Sequence, residues 1–420
     1  MGGIRLKKIA LLLTFFLLML TAVTTLADNS KPMQPPAEEP TIEPTPVEPV
    51  EQTSSVKMIM RLSWKLVSGA VKYKVAVDNE IYTTYINGIE LEVNSVNKVF
   101  HVAALDAAGR VVKADIDVTK IETNPTAPKP TTEFEKMDYG PLYPVYSWIP
   151  THGADCYQIQ LFKNDELIRT YEAHKVGKDD AYDYYDEYPV NEGGDYYWRV
   201  RAMSNHGFAM SEWSERTDEV SFKVTSPNRV CALGDSITHG GGSITVPPSM
   251  AIYNWETYCG VPVKNLGKSG DTTDEVVYRF ENDVLPFEPR VLIIMVGVND
   301  YRGTIFGWQS VTNYKALVDK CNYYGITPVF ITPTPINARL IKRSKYIELP
   351  PYDWQTHYQF LCDWIRTQPY YIDLTSAFED EAGELRADLT SDGLHPDEEG
   401  KELIGRAVEE WLHANERLWN

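Results

Sequence analysis

The chain has 420 residues, a net charge of −19 at pH 7 and 43% hydrophobic residues. At roughly 100–200 residues per domain that length fits two to four domains, and the apolar content excludes wholesale disorder. So acidic a chain repels phosphate backbones, which argues against nucleic-acid binding.

Residues 1–27 stand apart. Arg5, Lys7 and Lys8 precede an apolar run from Ile9 to Leu20, and Thr25 and Ala27 are small residues before Asp28. This is the layout of a secretory signal peptide cut after Ala27, so a secreted, extracellular protein is expected. The alternative is a membrane anchor formed by an uncleaved N-terminal segment, since 9–27 nearly spans a bilayer. No later segment is apolar enough to cross a membrane, and no Cys lies near the cleavage point to carry a lipid. Residues 28–55 are rich in Pro, Glu and Thr and read as a semi-rigid linker.

Two similar blocks follow. Trp64, Ala70 and Tyr73 precede alternating Tyr73, Val75 and Val77; Trp148, Ala154 and Tyr157 precede alternating Tyr157, Ile159 and Leu161, at the same offsets. Later, Phe100, Val102 and Ala104 lead to Gly109, as Trp198, Val200 and Ala202 lead to Gly207. Alternation of this kind marks half-buried strands, and the shared register marks an internal repeat. With Ser211-Glu-Trp213 before the last strand, residues 56–122 and 130–225 resemble fibronectin type III modules, which implies two β-sandwiches. The run from Asp179 to Tyr188, acidic and aromatic, reads as a solvated loop, with sugar or calcium binding as the alternative.

After Asn228 the pattern changes. Apolar runs at 229–233, 261–266, 291–296, 328–332 and 370–374 predict buried parallel strands. Helical spacing occupies 273–285, 308–324, 354–367 and 397–416. Such alternation predicts an α/β domain over 226–420, a parallel sheet covered on both faces. The five Cys, at 156, 231, 259, 321 and 362, are widely spaced. They form neither a disulfide framework nor a metal knuckle and are expected to be mostly buried.

In open α/β sheets the functional groups gather where the strands end. Just past the predicted strands stand Gly234-Asp-Ser236, Ser269-Gly270-Asp271-Thr272, Gly297-Val-Asn299-Asp300 and Asp392-Gly-Leu-His395. A serine hydroxyl needs a base to become a nucleophile. Ser236 is the candidate nucleophile, His395 its base, and Asp392 the carboxylate that fixes the imidazole tautomer. The Ser236 and Gly270 backbone N–H groups and the Asn299 amide are the candidate oxyanion donors. His239 is a competing base without an acidic residue three positions before it. Asp235 and Asp300 are read as braces, and Asp271 and Thr272 as caps of the following helix.

These four blocks, in this order, resemble the SGNH (GDSL-type) hydrolases, a family of esterases and acylhydrolases. The resemblance implies a three-layer flavodoxin-like fold, with Ser236 as nucleophile, Gly270 and Asn299 in the oxyanion hole and Asp392 with His395 as the last block. No cofactor and no metal are expected, since no ligand spacing or cofactor fingerprint is present. The reading is a secreted serine esterase working through an acyl-enzyme, with an acylated carbohydrate as its ester substrate and O-acetyl removal as its reaction. The sandwich modules are expected to offer polysaccharide or cell-surface contact. A lysophospholipase or short-chain lipid acylhydrolase is one alternative. A glycan-binding or adhesion protein with an idle hydrolase domain is the other. Loop 336–351, with Arg339, Lys342, Arg343 and Lys345, is a candidate attractor of anionic polymer; Tyr301, Phe306, Trp308 and Trp354 are candidates to stack on sugar rings.

Overall fold

A computed structural model of the chain describes residues 57–177, 179–344 and 347–420. The leader and linker readings at 1–27 and 28–55 lie outside the described residues.

The N-terminal region is antiparallel β structure. Its first part pairs Gly88–Val93, Met58–Ser63 and Lys120–Thr123 in one sheet. Glu80–Thr84, Lys72–Val77, His101–Leu105 and Val111–Lys113 form another. Trp64, Tyr73, Val75 and Val102 are buried together with Met60 and Leu62. Removing these apolar faces from water, at about 25 cal/mol per Å², is what holds two such sheets together. The second part has a four-stranded sheet of Glu166–His174, Cys156–Lys163, Gly194–Met203 and Ser221–Val224. A smaller sheet joins Asp183–Tyr185, Val145–Ile149 and Lys129–Pro130.

The repeat seen in the sequence has a structural counterpart. The Trp64 and Tyr73 rings lie 5.2 Å apart and the Trp148 and Tyr157 rings 5.0 Å apart. Each tyrosine hydroxyl accepts the backbone N–H six residues before it, from Val67 at 3.2 Å and from Thr151 at 2.7 Å. A buried tyrosine needs such a partner, so the spacing is fixed by one bond used twice.

The acidic aromatic run is not a solvated loop. Asp183–Tyr185 is a strand paired with Val145–Ile149. The buried Asp186 carboxylate accepts from Tyr171 at 2.7 Å, Tyr146 at 2.9 Å and Arg169 at 3.0 Å. Among the described residues no group of three or more His, Cys, Asp or Glu is placed to hold a metal.

The C-terminal region has a five-stranded parallel sheet ordered Lys264–Asn265, Val230–Gly234, Val291–Met295, Thr327–Ile331, Tyr371–Ile372. In chain order this is 2-1-3-4-5, the flavodoxin-like arrangement. The three central strands are apolar almost throughout, Thr327 at the start of the fourth excepted, as a sheet covered on both faces requires. Leu233, Leu292 and Ile294 pack with Phe280, Tyr314 and Leu317 of helices Thr273–Val284 and Gly307–Tyr324. Ala232, Ile293 and Val329 pack on the other face with Ile404, Val408 and Leu412 of helix Glu398–Ala414. All five cysteines are buried free thiols.

Candidate active site

The first strand, Val230–Gly234, runs directly into the helical turn Ser236–His239. A Cβ on Gly234 would stand 2.3 Å from the Met295 carbonyl oxygen, so only glycine lets the neighbouring strand come this close. Asp235 caps the turn: its Oδ1 accepts the Ile237 N–H at 3.0 Å. It therefore braces, as expected, and burial pushes its carboxyl up to about 7.

Ser236 and His395 are far apart in the chain but adjacent in space. Ser236 Oγ lies 3.1 Å from His395 Nε2, and His395 Nδ1 lies 2.8 Å from Asp392 Oδ2. The Asp-x-x-His spacing explains the second contact. Asp392 Oδ1 accepts the backbone N–H of Leu394 at 2.8 Å and of His395 at 2.9 Å, closing a turn that brings the ring over the second carboxylate oxygen. Asp392 is buried. Burial alone would raise its carboxyl, but the imidazole and these N–H bonds outweigh it and hold the group below the usual carboxylate range.

Gly270 has φ +89°, a left-handed backbone that side chains disfavour, and open space where a Cβ would be. Asn299 sits in the turn Val298–Tyr301 past the third strand. Its Nδ2 donates to the Asp271 carbonyl at 2.9 Å, and its Oδ1 accepts from Arg302 Nε at 3.0 Å. Those two bonds fix which way the amide faces and leave one of its two N–H groups to donate elsewhere.

Buried polar groups support these turns. Asp300 braces: it accepts from the Thr273 N–H at 2.9 Å and the Ser310 hydroxyl at 2.7 Å. Thr272 caps helix Thr273–Val284 in a capping box with Glu275. Asp271 does not cap; its carboxylate is turned inward onto Arg279, and the same guanidinium donates to the Gly234 carbonyl at 2.9 Å and the Leu266 carbonyl at 2.7 Å. A buried charge needs such a partner, and nothing near Asp271 in the sequence marks Arg279 as its own. Lys401, buried, donates to the Ile237 carbonyl at 2.6 Å in the turn that carries Ser236. Burial pushes that lysine down and the nearby Glu256 up.

His239 is not placed as a base for Ser236. Its Nδ1 faces the Ser269 N–H at 3.1 Å and hydroxyl at 2.8 Å, and its Nε2 faces the Tyr143 carbonyl at 2.7 Å. An N–H can only donate, so Nδ1 accepts and Nε2 carries the proton. Burial pushes this imidazole down to about 4.

The outlying candidates also resolve. Tyr301 and Trp354 are buried against Tyr358 and belong to the core, while Phe306 and Trp308 are exposed. Arg339 lies in the first turn of helix Ala338–Ser344 and is tied to Asp380 at 3.3 Å and Glu384 at 3.0 Å, so its charge is already matched. Lys345 lies outside the described residues.

Known proteins resemble parts of this chain. Residues 232–403 match the GDSL-like Lipase/Acylhydrolase family. Over 80 residues the chain is 32% identical to the uncharacterized lipoprotein YqeF of Bacillus subtilis (strain 168), covering 18% of this chain and about a third (33%) of that protein's length. Among solved structures, a lipase/acylhydrolase from Enterococcus faecalis is 23% identical, with a TM-score of 0.37 over 44% of this chain and 95% of that one. An acetyl xylan esterase, AlAXEase, is also 23% identical, with a TM-score of 0.34 over 43% of this chain and 98% of that one. Over residues 232–403 the chain is therefore similar to the GDSL-like Lipase/Acylhydrolase family.

Proposed function

We propose that this chain is an exported serine esterase that cleaves carboxylic esters through an acyl-enzyme on Ser236, with O-acetylated carbohydrate as its substrate class. The observation that carries the proposal is the unbroken hydrogen-bond chain from the Ser236 hydroxyl through the His395 ring to the Asp392 carboxylate, 3.1 Å and 2.8 Å long.

The steps follow from those contacts. His395 Nδ1–H donates to Asp392, which leaves Nε2 free to take the Ser236 proton as Oγ attacks the ester carbonyl. The carboxylate, ionised at neutral pH, stabilises the imidazolium as it forms. The backbone N–H groups of Ser236 and Gly270 and the Asn299 amide receive the oxyanion. The imidazolium returns its proton to the departing alcohol. Water, deprotonated by the same nitrogen, then releases the acid and restores Ser236.

The carbohydrate assignment draws on the leader pattern, the two β-rich blocks ahead of the hydrolase region, and the exposed Phe306 and Trp308 just past the Asn299 turn. Among the described residues no helix is long and apolar enough to cross a membrane. Purified protein should hydrolyse p-nitrophenyl acetate and release acetate from acetylated xylan, and Ser236→Ala should abolish both. Turnover that survives Ser236→Ala would remove the nucleophile. Turnover of lysophosphatidylcholine in preference to acetylated xylan would replace the carbohydrate assignment with the lipid one. Tight glycan binding with no ester turnover would favour the adhesion reading.

A further inference from the structure

Segment 240–253, which follows the nucleophile turn, is held by the N-terminal β structure at several points. The Thr245 hydroxyl donates to the Val71 carbonyl at 2.8 Å. The Thr245 carbonyl accepts from the Tyr182 hydroxyl at 3.3 Å. Ser249 Oγ and Ser147 Oγ lie 2.7 Å apart, the Ser249 carbonyl accepts the Glu133 N–H at 2.9 Å, and the Ala251 N–H donates to Glu133 Oε2 at 2.9 Å. Val246, Met250 and Tyr253 are buried with Ile86, and Leu66 and Tyr182 pack against them. Within this clamped segment the Ile244 N–H donates to Asp392 Oδ2 at 2.9 Å. That is the oxygen that faces the His395 ring.

A second thread ends at the oxyanion loop. Tyr143, in the second β part, offers its carbonyl to His239 Nε2–H at 2.7 Å, and His239 Nδ1 accepts the Ser269 N–H at 3.1 Å. The next N–H along the chain is that of Gly270. Tyr143 reaches the same loop by its other end: its hydroxyl donates to Asp283 at 2.7 Å, Asp283 pairs with Arg279 at 2.9 Å, and Arg279 pairs with Asp271.

We propose that the N-terminal β modules are positioning elements of the catalytic centre, acting through Thr245 and Ile244 on Asp392 and through Tyr143 and His239 on the Ser269–Gly270 peptide. This rests on the esterase reading of Ser236, Asp392 and His395. The physical content is directional. Asp392 Oδ2 serves two donors at once, and the placement of the Ile244 N–H decides which lone pair is left for His395 Nδ1. His239 works only as a neutral ring with its proton on Nε2, and both ends of that ring are then used. Appended modules that merely gathered substrate would leave neither end of this linkage necessary to the chemistry.

The test uses the whole chain and p-nitrophenyl acetate, with Ser236→Ala beside it. Thr245→Val keeps the shape and deletes the donor. It should lower kcat about three- to tenfold, the size of one neutral hydrogen bond, with KM within about twofold. Thr245→Ser should restore it. Loosening Ile244 weakens a bond that favours the ionised Asp392, so the acid limb of kcat should move to higher pH. The titratable groups around that carboxylate are His395 and, further off, Lys401 and the buried Asp235, which acts on both of them. His239→Asn keeps an acceptor for Ser269 but falls short of Tyr143, and His239→Gln does the converse; both should lower kcat.

A wild-type kcat and pH profile in Thr245→Val, or a loss that Thr245→Ser does not restore, would overturn the first thread. A wild-type kcat in His239→Asn would overturn the second, and this variant decides the matter if Thr245→Val does not fold. Turnover retained in Ser236→Ala would instead sink the esterase reading itself, whatever the other variants do.

Discussion

Replacing Asp392 by Asn should cost far more than the loss of one charge, because the structure dictates how the amide must turn. Oδ1 accepts two backbone N–H groups, from Leu394 and His395. An NH₂ placed there would face two donors. The amide oxygen must therefore take the Oδ1 position and the NH₂ the Oδ2 position. At that position it meets the Ile244 N–H and His395 Nδ1. The ring can only respond by accepting on Nδ1, which leaves the proton on Nε2, where it points at Ser236 and cannot act as a base. In a Ser-His-Asp triad a wrong tautomer costs about 10⁴ in kcat, equivalent to about 5.5 kcal/mol in the barrier. The orphaned Ile244 N–H adds about 1–3 kcal/mol of lost stability. Steady-state kinetics on p-nitrophenyl acetate should show Asp392→Asn with kcat down about 10⁴-fold and KM little changed. A variant within tenfold of wild type would refute the tautomer argument and with it the role given to Asp392.

Asn299→Ala should lower kcat about 100- to 1,000-fold with a small change in KM, the usual cost of one oxyanion donor; a loss below about threefold would take Asn299 out of the oxyanion hole. Lys264, buried with its ammonium against the Gly140 carbonyl, is pushed down by burial to about 7. Between about pH 7 and 10.5 the unfolded chain holds a proton that the native state has released, so stability rises with pH there and the full penalty of about 5 kcal/mol applies at and below pH 7. Lys264→Met removes that penalty but strands the carbonyl at about 1–3 kcal/mol. It should therefore stabilise the protein by about 2–4 kcal/mol at pH 7, a gain that shrinks as pH rises and becomes a loss of about 1–3 kcal/mol near pH 10.5, where only the stranded carbonyl counts. Denaturant midpoints that move in parallel at pH 7 and pH 10 would contradict this.

The α/β half of the fold was legible because its signals are local. Val291–Met295 is apolar throughout since both faces of the strand are covered, and Gly307–Tyr324 repeats its apolar positions at helical spacing. Ser236, Asp392 and His395 were legible for another reason: each stands just past a strand or in a short polar turn, where no packing demand explains a charged or hydroxyl group. Asp271 shows where this fails. Next to a helix start a carboxylate reads as a cap, yet a buried guanidinium eight residues on, Arg279, claims it. The Asp179–Tyr188 run fails likewise: its acidity suggests a solvated loop, whereas Asp186 is consumed by Tyr171, Arg169 and Tyr146, partners 15, 17 and 40 positions before it.

His239 marks the boundary between the two kinds of information. Its distance from Ser236 in the chain made it a rival base, and a residue three positions along a helical turn is close enough to be one. What removes it from that role is not local. The Tyr143 carbonyl, 96 positions earlier in the chain, accepts from one nitrogen, and the Ser269 N–H, 30 positions later, fills the other. With both nitrogens occupied and the ring buried, no lone pair remains for the serine proton. His395 is the opposite case: one nitrogen is occupied by a carboxylate three residues before it and the other faces Oγ. The choice between two histidines is thus made by hydrogen-bond occupancy, a property that exists only after the β region and the hydrolase region have packed.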